Sequence, residues 1–120
     1  MGGPLLSLIV DDDAYIRAYI RTILQSENFL TLEAEGGDAA WEIMRRLEGD
    51  VDLLVSDIQM PRGDGLKLAY SVREEYPSIP IVLVSGRAQP DSPFDFVEKP
   101  FTWPELVSVV RRVLTAAAPQ

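Results

Sequence analysis

Leu5-Leu6-Ser7-Leu8-Ile9-Val10-Asp11-Asp12-Asp13-Ala14-Tyr15-Ile16 is the stretch on which the fold turns. A nearly continuous apolar run ends abruptly in three acids. A strand buried on both faces reads this way, because neither face has to alternate with solvent. From Ala14 the period changes: Ile16, Ile20, Ile23 and Leu24 fall on one side of a helix reaching Ser26. Asp13 is placed to cap that helix, and acids in its first turn suit the helix dipole.

The same alternation of strand and helix continues outward. Phe29 to Ala34 reads as a second strand, broken by Gly36-Gly37-Asp38. Asp38 can cap a helix carrying Ala40, Ile43, Met44 and Leu47, which Gly49-Asp50 ends. Val51 to Ser56 is a third strand with Asp57 at its C-terminal end, and Pro61-Arg62-Gly63-Asp64-Gly65 is a loop by composition. Leu66 to Tyr76 is helical, with Leu68, Ala69 and Val72 inward. Ile81 to Val84 and Asp95 to Glu98 are the fourth and fifth strands, followed by Ser85-Gly86 and Lys99-Pro100. Thr102 can cap a last helix that buries Leu106, Val109, Val110 and Val113, and Ala116 to Gln120 reads as a frayed end. Repeated βα units predict an α/β fold: a parallel sheet covered on both faces, with right-handed crossovers. The segment between Ser85 and Phe96 is the exception. It holds two prolines and no apolar helical pattern, so the fourth crossover is expected to be a loop or at most one helical turn.

Composition narrows the function. The 120 residues fit one domain, 1–120, with an ordered core of about 5–115, and 47% hydrophobic residues suffice for a packed core. No apolar run approaches the ~20 residues of a membrane helix, and Met1-Gly2-Gly3-Pro4 lacks the features of a signal peptide, so a cytoplasmic location is expected. The net charge of −8, from 19 acids and 11 bases, argues against nucleic-acid binding. With no cysteine and no histidine, any chemistry rests on carboxylates, hydroxyls, lysine and backbone, and a phosphohistidine donor would lie outside these 120 residues.

In open α/β sheets, sites form beyond the C-terminal strand ends. Asp11 and Asp12 follow the first strand, Asp57 the third, Ser85 the fourth and Lys99 the fifth. One polar residue at a strand end is ordinary loop chemistry. Five on four strand ends that can converge point to a site. Two carboxylates ~5 Å apart repel by about 3 kcal/mol at an effective dielectric of ~20, so a cluster raises its own proton affinity or recruits a cation. All-oxygen donors favour Mg²⁺ before Ca²⁺ when waters complete the shell. A cation, an ammonium and the Ser85 hydroxyl together suit a phosphoryl group, and a carboxylate can be the nucleophile, giving an acyl phosphate.

These residues resemble the receiver domains of bacterial response regulators over essentially the whole chain. The resemblance is carried by Leu8-Ile9-Val10-Asp11-Asp12-Asp13, Asp57-Ile58-Gln59-Met60-Pro61 with Asp64-Gly65, Val84-Ser85-Gly86, and Phe96-Val97-Glu98-Lys99-Pro100-Phe101. It implies a flavodoxin-like, doubly wound five-stranded sheet of order 2-1-3-4-5. It implies Asp57 as phosphoacceptor, and Mg²⁺ held by Asp12, Asp57, the Gln59 carbonyl and Asp11 directly or through water. It implies Lys99 paired with Asp57, Ser85 and Phe96 as switch residues, and a cis Lys99-Pro100 bond. It also implies that Gln59 and Arg87, at positions that in the family tune phosphoryl lifetime, would do so here. Partners would be a histidine kinase or histidine phosphotransfer protein and an unknown downstream protein. The domain would be a switch rather than a turnover enzyme, working by population shift.

Departures from the family pattern are the shortened or absent fourth helix and Phe96 where many relatives have tyrosine. Short fourth crossovers are familiar from receivers of hybrid kinases, so the chain is either a stand-alone receiver or part of a longer protein. Two alternatives stand beside this expectation. One is a receiver-fold docking module that takes no phosphate. The other is a haloacid-dehalogenase-like phosphatase built on Asp11 and Asp13, which leaves Asp57 without a role.

Overall fold

A computed structural model describes residues 3–87 and 92–117. Five strands, β1 (Leu5–Val10), β2 (Phe29–Ala34), β3 (Leu53–Asp57), β4 (Ile81–Ser85) and β5 (Asp95–Glu98), form one sheet of order β2-β1-β3-β4-β5. Every neighbouring pair is parallel. Three helices connect the first four strands, α1 (Ala14–Ser26), α2 (Gly37–Arg46) and α3 (Gly65–Glu75), and α4 (Trp103–Ala117) follows β5.

The unbroken apolar strands are explained by two cores. Leu8, Val10, Leu54, Ile81 and Leu83 pack against Ala40 and Met44 of α2 and Leu68, Ala69 and Val72 of α3. Ile9, Leu53, Val55, Val82 and Val84 pack against Ile20, Ile23 and Leu24 of α1 and Leu106, Val110 and Val113 of α4. Successive strand residues point to opposite faces, so each central strand must be apolar at both parities. Ile16, Ile43, Leu47 and Val109, expected inward, are only partly buried at the edges of these cores.

The fourth crossover carries no helix among the described residues; residues 88–91, which belong to it, lie outside them. Phe94 covers that part of the sheet instead. Its ring is buried in the first core, packs edge-on against Tyr70 with centroids 5.0 Å apart, and lies 4.4 Å beneath the Arg73 guanidinium. One aromatic residue thus does the packing expected of a helical face.

Caps differ in detail from expectation. Asp13 caps α1, accepting from the Tyr15 and Ile16 N–H groups at 2.8 and 3.3 Å, but no acid lies inside the first turn. Asp38 is not the cap of α2; Gly36 is, and Asp38 sits within the first turn. The reason is long-range. Gly37 and Asp38 N–H groups donate to the carbonyls of Gly63 and Arg62 at 3.2 and 3.3 Å, so the loop after β3 replaces a side-chain cap. β3 begins at Leu53 rather than Val51, because the Val51 N–H turns back to the Gly49 carbonyl. At α4, Thr102 and Glu105 form a reciprocal capping box, with N–H to side-chain distances of 2.7 and 3.3 Å. That helix continues through Ala117, so Ala116 is not frayed; residues 118–120 lie outside the described part.

Candidate functional site

Register assembles the site. Val10 pairs with Ser56, so Asp11 and Asp57 follow side by side. Asp57 pairs with Val84, and Ser85 pairs with Glu98, one residue before Lys99. Carboxylate oxygens of Asp11, Asp12 and Asp57 lie within 4.8 Å of one another. Asp11 and Asp57 are buried and Asp12 is exposed, so the cluster opens to solvent on one side.

Each buried acid is held by specific donors. Asp11 Oδ1 accepts from the Asp13 N–H at 2.9 Å, and Asp11 Oδ2 accepts from Lys99 Nζ at 2.9 Å. Asp57 Oδ1 accepts from the Ile58 N–H at 2.9 Å and stands 3.4 Å from Lys99 Nζ. Burial raises the Asp57 carboxyl above the ordinary range, the Asp11 charge raises it further, and Lys99 only partly offsets them. Lys99 is raised as well. Burial alone would lower it, but the hydrogen bond and charge of Asp11 and the proximity of Asp57 outweigh that cost.

Gly65 sets the distance between β3 and α3. A methyl group there would collide with the Asp57 carbonyl oxygen, and the Gly65 N–H donates to the Ile58 carbonyl at 2.9 Å. The loop bearing Gln59 is thereby folded tightly over the end of β3.

The remaining expected residues border this cluster. Ser85 is buried, and its Oγ accepts from the Arg87 N–H at 3.0 Å. Phe96 is half-buried opposite Leu83, Gln59 and Arg87 are exposed, and the Lys99-Pro100 bond is cis. Arg17 was not singled out from the sequence. Its guanidinium donates to the Asp11 carbonyl at 2.7 Å. Its position four residues after the Asp13 cap was the available signal, since one helical turn returns that side chain to the acidic loop.

A family model described as "Response regulator receiver domain" matches residues 7–111. The chain belongs to that family. This receiver is 36% identical over 121 residues to the sensor kinase CckA of Brucella abortus, covering 94% of this chain and 13% of that protein. It is 34% identical to the transcriptional regulatory protein ResD of Bacillus subtilis, covering 92% of this chain and 48% of the relative. The chain therefore spans less than half the length of either. A solved response regulator receiver protein from Sinorhizobium medicae superimposes with a TM-score of 0.87 at 29% identity, covering 96% of this receiver and 98% of that chain. The receiver is a two-component signalling module, with the five-stranded order expected of the family. No helix among the described residues is long and apolar enough to cross a membrane.

Proposed function

We propose that this receiver takes a phosphoryl group on Asp57 in a Mg²⁺-dependent transfer and relays it as a conformational signal. The observation that carries this is the bridging of Asp11 and Asp57 by Lys99 beside a third carboxylate, Asp12. The donor set fits Mg²⁺. All donors are hard oxygens, and their 4.8 Å spread is close to the ~4.2 Å between opposite ligands of an octahedral ion at ~2.1 Å. Asp12, Asp57 and the Gln59 carbonyl would hold the ion, with Asp11 helping directly or through water. Bound there, it supplies positive charge to the phosphoryl oxygens.

The protein's own groups do the rest. Asp57 Oδ1 is engaged by Ile58 and Lys99, which leaves Oδ2 to attack phosphorus. The new O–P bond forms as the donor's P–N or P–O bond breaks, and the leaving group departs with that electron pair. Lys99 compensates the charge on the acceptor side. Ser85 Oγ, which accepts from the Arg87 N–H, then turns its hydroxyl to donate to a phosphoryl oxygen, and Phe96 moves inward on the same face of the sheet. Phosphorylation thereby favours one of two pre-existing packings. Arg87 and Gln59, exposed at the rim, set the lifetime of the acyl phosphate.

The chain contains no histidine, so the donor is a histidine kinase, a phosphotransfer protein or a small acyl phosphate. The output is a downstream protein rather than nucleic acid, in keeping with a net charge of −8, and the setting is cytoplasmic. Residues 1–120 act as one domain, which the match over residues 7–111 supports. Beryllofluoride with Mg²⁺, an acyl-phosphate mimic, tests this. It should raise the melting temperature of the parent and leave Asp57→Asn unchanged. An equal rise in both, or none in the parent, contradicts the proposal.

A further inference from the structure

Arg17 lies outside the acidic cluster, yet it grips the backbone from which the cluster hangs. Only 13% of its side chain is exposed. One terminal nitrogen donates to the Asp11 carbonyl at 2.7 Å, and Nε donates to Glu33 Oε1 at 3.1 Å. Glu33 is fixed in turn by Arg21, which donates to Oε2 at 2.7 Å. The Asp11 N–H is tied to the Ala34 carbonyl at 3.2 Å. Both backbone polar groups of Asp11 are thus anchored, the N–H by β2 and the carbonyl by Arg17.

The carbonyl matters because the Asp11–Asp12 peptide is one plane. Rotating that plane would swing the start of Asp12 and re-aim its carboxylate. Mutual repulsion among Asp11, Asp12 and Asp57 favours such a rotation when no divalent ion is bound. Arg17 opposes it with a charge-assisted hydrogen bond from a largely buried donor. We infer that Arg17 is a positioning residue for the metal-binding carboxylates, acting by locking the Asp11–Asp12 peptide plane and itself held by Glu33. This rests on the Mg²⁺ site proposed above.

Charge and position predict opposite signs. A guanidinium near the site repels a cation, so deleting it would tighten Mg²⁺ binding if charge alone mattered. Loss of positioning weakens binding, and residues that orient metal ligands typically contribute 10–100-fold in affinity.

The test is calorimetric titration of Mg²⁺ into the whole chain as parent, Arg17→Met, Arg17→Lys, Glu33→Gln and Arg46→Met. Arg46 is an exposed arginine paired with Glu42 on α2, and its loss controls for net charge. Arg17→Met should weaken Mg²⁺ about tenfold, Arg17→Lys should recover part of that loss, and Glu33→Gln should weaken binding in the same direction. Arg46→Met should match the parent. Amide exchange at Asp12 and Asp13 should quicken in Arg17→Met while the central strands stay protected. Should Arg17→Met not fold, Arg17→Lys carries the test because it keeps the charge: Mg²⁺ binding weaker than in the parent with faster exchange at Asp12 supports the inference, and parent-like values overturn it. Mg²⁺ binding in Arg17→Met equal to or tighter than in a binding-competent parent overturns the inference alone. A parent that binds no Mg²⁺ overturns the metal site as well.

Discussion

Lys99 Nζ donates to Asp11 Oδ2 at 2.9 Å across a sequence separation of 88 residues, and the same ammonium stands 3.4 Å from Asp57 Oδ1. One cation thus holds two buried carboxylates together. Lys99→Met should cost about 1–2 kcal/mol of stability in Mg²⁺-free buffer, below the roughly 3–5 kcal/mol for breaking a fully buried pair because Lys99 is partly exposed. It should also tighten Mg²⁺ binding, since a competing cation is gone. The raised Lys99 value means that its contribution is complete below the ordinary lysine range and fades as pH climbs through the folded value. Urea titrations with and without Mg²⁺ check the first two points, and the same titrations repeated at alkaline pH check the third.

Asp57 has the opposite effect on stability near neutral pH. Its folded value is raised by burial and by Asp11, so protonation favours the fold and ionisation opposes it. Stability from this group is present below the ordinary carboxylate range and lost as pH rises through the folded value. At pH 7 without metal, Asp57→Asn should therefore be more stable than the parent, by roughly 4 °C in Tm for each kcal/mol relieved. The gain should shrink as pH falls through the carboxylate range. Mg²⁺ should stabilise the parent and leave the variant almost unmoved. Thermal melts across pH, with and without Mg²⁺, measure all three effects.

Much of this site was legible because the acids, the hydroxyl and the lysine each end an apolar strand. Parallel register then leaves them little choice but to meet at one edge of the sheet. The boundaries of β1, α1 and β2 were legible for the same reason: the hydrophobic period changes at Asp11 and again after Ser26. The capping of α2 was not legible, because its partners Arg62 and Gly63 lie about 25 residues downstream and act through backbone carbonyls, which carry no side-chain signature. Phe94 replaces a helical face with a single ring, and no periodicity announces one residue. Nothing in the helical pattern of α1 distinguishes Arg17 from a solvated position; its ion partner Glu33 comes from β2.

Gly65 and Gly86 should respond very differently to a methyl group. Gly65→Ala places Cβ against the Asp57 carbonyl and 2.9 Å from Ser56 Oγ, so strand or helix must shift. A loss of about 3 kcal/mol or more is expected, together with loss of phosphoacceptance. Gly86→Ala meets nothing within 4 Å among the described residues and should stay within about 0.5 kcal/mol of the parent. Denaturant midpoints for the two variants decide the comparison.

Ser7 is fully buried in β1, and its hydroxyl lacks a hydrogen-bond partner among the described residues. An unpaired buried hydroxyl costs about 1–3 kcal/mol in desolvation. Ser7→Ala should stabilise the fold by about 0.5–1 kcal/mol, after allowing for the small void and the weaker strand preference of alanine. Urea unfolding at unchanged m-value reads this directly, and a destabilised variant would contradict it.

The most direct test of the central claim is intact-mass spectrometry after incubation with Mg²⁺ and acetyl phosphate, on the parent and on Asp57→Asn. The account predicts one added phosphoryl group in the parent, none in the variant, and none in the parent when the metal is chelated. A parent that binds Mg²⁺ yet gains nothing, or an Asp57→Asn chain that gains as much as the parent, would contradict it.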